Sequence, residues 1–452
     1  MVLVDSLRPK DLSLYGCEKE NDPYIKKIAG ESLTFSKLFA TSGGSDVSLT
    51  SIFSSQYPTT SGFMHQVPRM EDREIEKLKK NKFWFPKYLQ KVGYNTISIT
   101  PQHLWFKKGF DECMKREAEG VGKYLDVPWF RKILLSLPNW VYVTGKKMTK
   151  VRTSHTFTAA DKIVDQTIQK INDVEKDKPF FMFLHLLDAH CPYAGVDVPN
   201  ENFGKTFDEI LGGCENDVQK EYVKKRMHDT GTGTLGQTKL KLDNSIKSVD
   251  KAIWKLWTYL EDNNLKEDTI FMILADHGEN YGEHKNYFCR GGLYDESFHI
   301  PFIIYLPGVM GKMIDNLVSS IDIAPTVLDH LGEDKKEVDG KSLLPLAFGK
   351  EDHRDHVISV DGFCKDRMAI RTKDRKFILN KNPVCYLCGS KHSTKELEEF
   401  DLNLDKNELT NVFSEDSMLK DKLDNIRKEI FEELGKFESE SKIMVNQEAL
   451  GK

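Results

Sequence analysis

Thr269-Ile270-Phe271-Met272-Ile273-Leu274-Ala275-Asp276-His277-Gly278-Glu279 is the stretch on which the reading of the fold turns. Its first half is apolar on both faces and too short for a buried helix, so it reads as a strand inside a parallel sheet. The strand's C-terminal end carries a carboxylate and an imidazole side by side. In open α/β sheets, ligands bind in the crevice beyond such ends. An oxygen donor beside a nitrogen donor on a rigid strand end suits a divalent metal. A metal there could hold an anionic ester and help a nucleophile attack it.

Further strands follow outward from this one. Val2-Leu3-Val4 ends at Asp5, and Leu33 to Phe39, Asn95 to Ile99, Phe180 to Leu187 and Pro301 to Leu306 repeat the pattern. Helical periodicity fills 46–56, 73–92, 155–172 and 240–262 between them. Alternation of this kind specifies an α/β fold: a doubly wound, mostly parallel sheet flanked by helices. The pattern changes near residue 350. Short strands at 356–360, 367–371 and 375–379 and a helical tail at 415–440 read as a smaller C-terminal α+β domain. The expected division is 1–350 and 351–452. Residues 125–150, with Trp129, Trp140 and Tyr142 among lysines, read as an irregular insertion able to form a lid or substrate wall.

Bulk properties exclude several classes. With 452 residues and 39% hydrophobic content, the chain can bury a large core. A net charge of -5, with both signs interspersed, gives no footprint for nucleic acid. No apolar run is long enough for a transmembrane helix. The opening Met1 to Val4 runs straight into Asp5 with no secretory leader visible. The eight cysteines are scattered and form no dense framework. These features point to a reducing, cytoplasmic setting, unless a segment upstream of Met1 is missing.

Asp5, Asp276 and His277 stand at two strand ends that a doubly wound sheet can bring to one crevice, giving a three-ligand site. Its mixed donors suit Mn²⁺ or Zn²⁺ better than Ca²⁺. Ser45 follows Gly43-Gly44 and begins a helix. As a plain helix cap it needs no further role. As a nucleophile it would profit from the positive end of the helix and from metal ligation of its oxygen. His190 lies just past a third strand end, where it could protonate a leaving group or bind an oxyanion. Arg290, between small residues, suits a tetrahedral anion, and His284 is a further candidate. His185, inside a strand, reads as a core histidine. Cys385-Tyr386-Leu387-Cys388 with His392 could be half of a zinc site, but a second ligand pair is missing, so the motif reads as structural or incidental.

The whole pattern resembles the sulfatase family of the alkaline phosphatase superfamily. The resemblance rests on Val4-Asp5-Ser6-Leu7-Arg8-Pro9, the region from Phe35 to Tyr57-Pro58, Asp276-His277-Gly278-Glu279 with Gly282-Glu283-His284, and Leu293-Tyr294-Asp295-Glu296-Ser297. Ile321-Asp322-Ile323-Ala324-Pro325-Thr326, Asp339 to Pro345 and Glu399-Phe400-Asp401-Leu402 extend it to nearly the full chain. It implies one divalent metal (Mn²⁺, Zn²⁺ or Ca²⁺) on Asp5, Asp276, His277 and the Ser45 oxygen. It places Ser45 at the nucleophile position, His190 near the leaving oxygen, and Arg290 where relatives usually carry a lysine. Many relatives convert the nucleophile to formylglycine within Cys/Ser-x-Pro-x-Arg. Here the stretch reads Ser45-Asp46-Val47-Ser48-Leu49, without the proline or the arginine, which argues against modification. Ser6 stands where many sulfatases have a second aspartate.

The expected activity is hydrolysis of sulfate or phosphate esters by the residue-45 oxygen. The substrate would be a small anionic ester on a sugar, a lipid headgroup or an aryl compound. Two alternatives stay open: a phosphoester hydrolase or phosphoglycerol transferase using unmodified serine, and a non-catalytic binding protein on a decayed scaffold.

Overall fold

Val2-Leu3-Val4, only three residues long, lies at the centre of the main sheet. A strand this short survives because it is paired on both sides and all three side chains are buried. A computed structural model describes residues 1–66, 74, 76–77, 81–100, 108–113, 159–174, 178–193, 198, 203–333, 337–350, 353–364, 367–381, 384–393, 395–425 and 428. The expected 125–150 insertion and most of the helical tail fall outside these residues, while the expected 73–92 helix is interrupted, with residues 81–84 not helical and a separate helix over Phe85–Lys91 that has Pro86 in its first turn.

In chain order the strands are β1 (Val2–Val4), β2 (Leu33–Phe39), β3 (Asn95–Ile99), β4 (Glu112–Cys113) and β5 (Phe180–Leu186), then β6 (Phe271–Leu274), β7 (Asn280–Tyr281), β8 (Tyr287–Cys289), β9 (His299–Tyr305) and β10 (Lys312–Ser319). Eight of them form one sheet, in the order β10-β2-β9-β6-β1-β5-β3-β4. All neighbours pair in parallel except at β9, which runs antiparallel to both β2 and β6. The reason lies in the connection. The chain leaves β6 at Leu274, forms the β7–β8 hairpin, and re-enters the sheet at the same end without a crossover helix. A return at the same end requires reversed direction.

Helices Ala160–Asp173 and Leu235–Asp262 pack against each other over the sheet. The second begins before the expected residue 240. Thr234 caps it, its hydroxyl accepting from the Gln237 amide at 3.2 Å in a reciprocal capping box. Side chains with charge do not obstruct a helix whose first-turn amides are satisfied in this way.

A second, four-stranded antiparallel sheet comprises β11 (Val357–Val360), β12 (Arg367–Arg371), β13 (Arg375–Asn380) and β14 (Leu397–Asp401), paired in that order. Its apolar face, including Ile358, Ile370 and Phe377, packs on Val47, Tyr57 and Phe63. Its first strand also grips the loop after β2. The Val360 amide donates to Thr41 O at 2.8 Å, and the Ser359 hydroxyl to Ala40 O at 2.9 Å. The small sheet therefore buttresses the loop that leads to Ser45. Among the described residues, no helix is long and apolar enough to cross a membrane.

Candidate active site

Ser45 is the first residue of helix Ser45–Ser54, and Gly44, in extended conformation, occupies the cap position. The simpler reading of Ser45 as a cap is thereby set aside. Its hydroxyl instead lies 3.0 Å from His277 Nε2. All ten residues of the helix are buried, so it is held on every side. The Ser48 hydroxyl, one turn on, donates to Asp276 O at 2.7 Å and ties the helix start to the end of β6. Gln66 accepts from the Asp46 amide at 2.9 Å and donates back to the Asp46 carboxylate.

Asp5, Asp276 and His277 converge as the strand ends implied. All three are fully buried, and one ligand atom from each lies within 4.8 Å of the others. His277 Nδ1 is 2.9 Å from Gly278 O, so it carries the proton and donates. Nε2 is left with a lone pair. That lone pair sits 3.2 Å from Asp276 Oδ2 and 3.8 Å from Asp5 Oδ1. Asp276 Oδ2 is buried and makes no hydrogen bond. Two carboxylates and an imidazole lone pair facing one another are stable only with a cation between them or with protons added. The donor set of two oxygens and one nitrogen, with the Ser45 oxygen adjacent, fits a divalent metal.

Ser6 departs from the aspartate found in many relatives, and its geometry is that of a donor. Its hydroxyl donates to Asp5 Oδ1 at 2.9 Å and its amide to Asp276 Oδ1 at 3.3 Å. It orients both carboxylates. His185, read from the sequence as a core residue, is buried inside β5 and also touches the cluster. Its Nε2 donates to Asp5 Oδ2 at 3.2 Å, the kind of outer contact that orients a metal ligand. Nothing local in the sequence marks it, because the contact depends on the register that sets Leu3 beside His185.

Arg290 projects from the end of the β7–β8 hairpin. Its Nη1 lies 3.0 Å from His277 Nε2 and 3.4 Å from His190 Nε2. The structure thus brings Ser45, Asp5, Asp276, His277, His190 and Arg290 into one crevice. His284 packs elsewhere, stacked on Tyr294 at 3.6 Å with its Nε2 3.6 Å from Glu296.

Electrostatics follow the burial. Burial pushes the Asp5 carboxyl up, but the imidazoles of His190, His185 and His277 outweigh it and hold Asp5 well below the usual carboxylate range. Burial pushes His190 down to about 3; Asp5 opposes this, while Arg290 and Arg226 add to it. His190 is therefore neutral. Its Nδ1–H donates to Cys191 O at 2.6 Å, which turns Nε2 toward Arg290.

Gly43 makes the Ser45–Arg290 approach possible. A Cβ there would lie 2.1 Å from Arg290 O. Gly43→Ala must push the loop before Ser45 and the segment at Arg290 apart. The expected cost is about 1–3 kcal/mol of stability, with a fall in kcat of more than roughly tenfold from the displaced reacting groups. Urea unfolding and steady-state kinetics measure the two. Wild-type values in both would show that this contact does not hold the site together.

The sulfatase family model matches residues 1–333, and a model for the N-sulphoglucosamine sulphohydrolase C-terminal region matches residues 282–439. An arylsulfatase of Clostridium perfringens is 26% identical over 370 residues, covering 76% of this chain and 72% of its own. A structure solved in complex with its substrate D-glucosamine-2-N,6-O-disulfate superposes with a TM-score of 0.61 over 97% of each chain, at 20% identity. The phosphonate monoester hydrolase of Agrobacterium radiobacter superposes with a TM-score of 0.62 over 95% of each chain, at 16% identity. At these identities the two superpositions speak to the fold.

Proposed function

The chain belongs to the sulfatase family, in the alkaline phosphatase superfamily, and from that premise we propose that it is a metal-dependent hydrolase of small sulfate or phosphate esters whose nucleophile is the Ser45 oxygen. The observation that carries this reading is the approach of Ser45 Oγ to His277 Nε2, at 3.0 Å, beside a buried carboxylate oxygen without a hydrogen bond.

Asp5, Asp276, His277 and the Ser45 oxygen are the residues that would hold the divalent ion. When bound, the ion would supply Lewis-acid charge to the ester oxygens and lower the pKa of the Ser45 hydroxyl. The chain's own groups do the rest. Ser45 sits at the positive end of a ten-residue helix, which favours both its alkoxide and a bound anion. Arg290 offers its guanidinium to the equatorial oxygens of the tetrahedral group, where charge accumulates during transfer. His190 faces the same crevice through Nε2. A neutral imidazole accepts a hydrogen bond, so protonating a leaving oxygen requires the bound anion to raise its pKa first.

The substrate class is a small anionic ester, with a sulfated aminosugar as the leading candidate, in keeping with the sugar disulfate bound by one structural relative. A second reading, phosphoester or phosphonate ester hydrolysis, is favoured by the interior of the nucleophile helix. Val47 and Leu49, which stand where the modification motif has proline and arginine, are both fully buried in apolar clusters. An unmodified serine leaves a covalent ester that water must cleave, and this suits phosphorus better than sulfur.

The deciding experiment compares initial rates on a sulfated aminosugar, an aryl sulfate, an aryl phosphate and a phosphonate monoester, each with Mn²⁺, Zn²⁺ or Ca²⁺. Mass spectrometry of the Ser45 peptide runs alongside. We expect metal-stimulated turnover of at least one ester class, with serine pairing with phosphorus substrates and formylglycine with sulfate. Absence of turnover on all four with every ion would remove the proposal.

A further inference from the structure

Cys385 and Cys388 form half of a metal-binding pattern, and the fold supplies the missing part. Cys289, at the end of β8 and 99 residues before Cys388, places its Sγ 3.3 Å from Cys388 Sγ. His392 Nε2 lies 3.5 Å from Cys289 Sγ and 3.4 Å from Cys388 Sγ. With Cys385 Sγ, these four ligand atoms all fall within 4.8 Å of one another. All four residues are buried. Zn–S bonds near 2.3 Å place the ligand atoms of a tetrahedral site roughly 3.5–3.8 Å apart, close to the separations seen here.

The surroundings are built for such a site. His392 Nδ1 lies 2.6 Å from Asn286 Oδ1. Nδ1 therefore carries the proton and donates to the amide oxygen, which aims the Nε2 lone pair at the sulfurs. This outer contact selects the tautomer a metal needs. Gly291 lets the imidazole approach, since a Cβ there would lie 2.8 Å from His392 Nε2. The Cys385–Cys388 segment folds on itself, with the Gly389 amide donating to Cys385 O at 2.8 Å and the Cys385 amide to Ser390 O at 2.9 Å. The Tyr386 amide donates to Phe363 O at 3.0 Å and anchors the loop. Cys364 packs in the same cluster as the three ligand cysteines but is not one of the four convergent donors.

We propose that Cys289, Cys385, Cys388 and His392 bind a structural zinc ion, separate from the metal cluster at Asp5, Asp276 and His277. Three thiolates and one imidazole leave no open position, which is the mark of a structural site. The ion would clamp the loop between β13 and β14 onto the end of β8. Arg290 follows Cys289 directly, so the clamp would also hold the Arg290 guanidinium in the crevice. In that respect Cys289 is a positioning residue.

The test uses the full-length protein purified under reducing conditions. Elemental analysis should find a zinc equivalent per chain that is retained in Asp276→Asn and lost in the double variant Cys385→Ser/Cys388→Ser. Cobalt-substituted wild-type protein should show the thiolate-to-metal charge-transfer absorption and strong visible bands of a tetrahedral cysteine-rich site. That absorption should persist in Asp276→Asn, which separates this site from the carboxylate cluster. The spectrum needs no variant, so it decides the matter even if the cysteine variants do not fold. Wild-type protein lacking charge-transfer absorption, or zinc content that follows Asp276 instead of the cysteines, would overturn the proposal. So would a mass deficit placing a disulfide between Cys289 and Cys388 in the reduced preparation.

Discussion

Ser45→Ala removes ester hydrolysis, with kcat lower by roughly 10⁴–10⁶-fold, the range seen when a covalent nucleophile is deleted. The substitution deletes one oxygen from a side chain that is 5% exposed and leaves the packing of the helix intact. Its main neighbour, His277 Nε2, keeps Arg290 Nη1 at 3.0 Å as a donor. The thermal midpoint should therefore stay near that of wild type, which separates lost chemistry from lost folding. Asp5, Asp276 and His277 remain, so divalent-ion binding should weaken without disappearing. Activity within tenfold of wild type would sink the nucleophile assignment.

Asp276→Asn gives the second large effect, and its sign in the absence of metal is the informative part. The ion's contribution to charge stabilisation is several kcal/mol, so its loss lowers kcat by on the order of 10³-fold, at 1.36 kcal/mol per decade. In metal-free protein the same change should raise stability. Asp276 Oδ2 is a buried acceptor without a hydrogen bond, 3.2 Å from the His277 Nε2 lone pair. A neutral amide removes one of two buried negative charges and can donate to that nitrogen. Metal addition should stabilise wild type by about 2.7 kcal/mol at a hundredfold excess over Kd, raising its thermal midpoint, and leave the variant unmoved. Differential scanning calorimetry with and without Mn²⁺ reads both. A variant that keeps its activity and its response to metal would end the metal assignment. Full activity in chelator would instead leave His277 as the base acting on Ser45.

Much of the fold was legible because burial on both faces leaves a plain trace. Phe180–Leu186 and Phe271–Leu274 are continuous apolar runs, and only a covered sheet tolerates such strands. Asp5, Asp276 and His277 were legible as strand-end residues for the same reason. The reversed direction of β9 was not, since Pro301 to Leu306 is equally apolar in either orientation. The start of the Leu235–Asp262 helix was missed although Thr234 and Gln237 spell a capping box, because the apolar periodicity begins only later.

Periodicity and strand-end position, which are local, were enough to determine that a covered, mostly parallel sheet forms and which donors stand at its strand ends. Pairing register and loop return, which join residues far apart in the chain, decided the rest. They set His185 against Asp5, Arg290 against His190 and Cys289 against Cys388. Contacts across about 100 residues or more are selected by how strands align and how backbones approach, as at Gly43 and Gly291. A short window of residue types carries no record of that alignment.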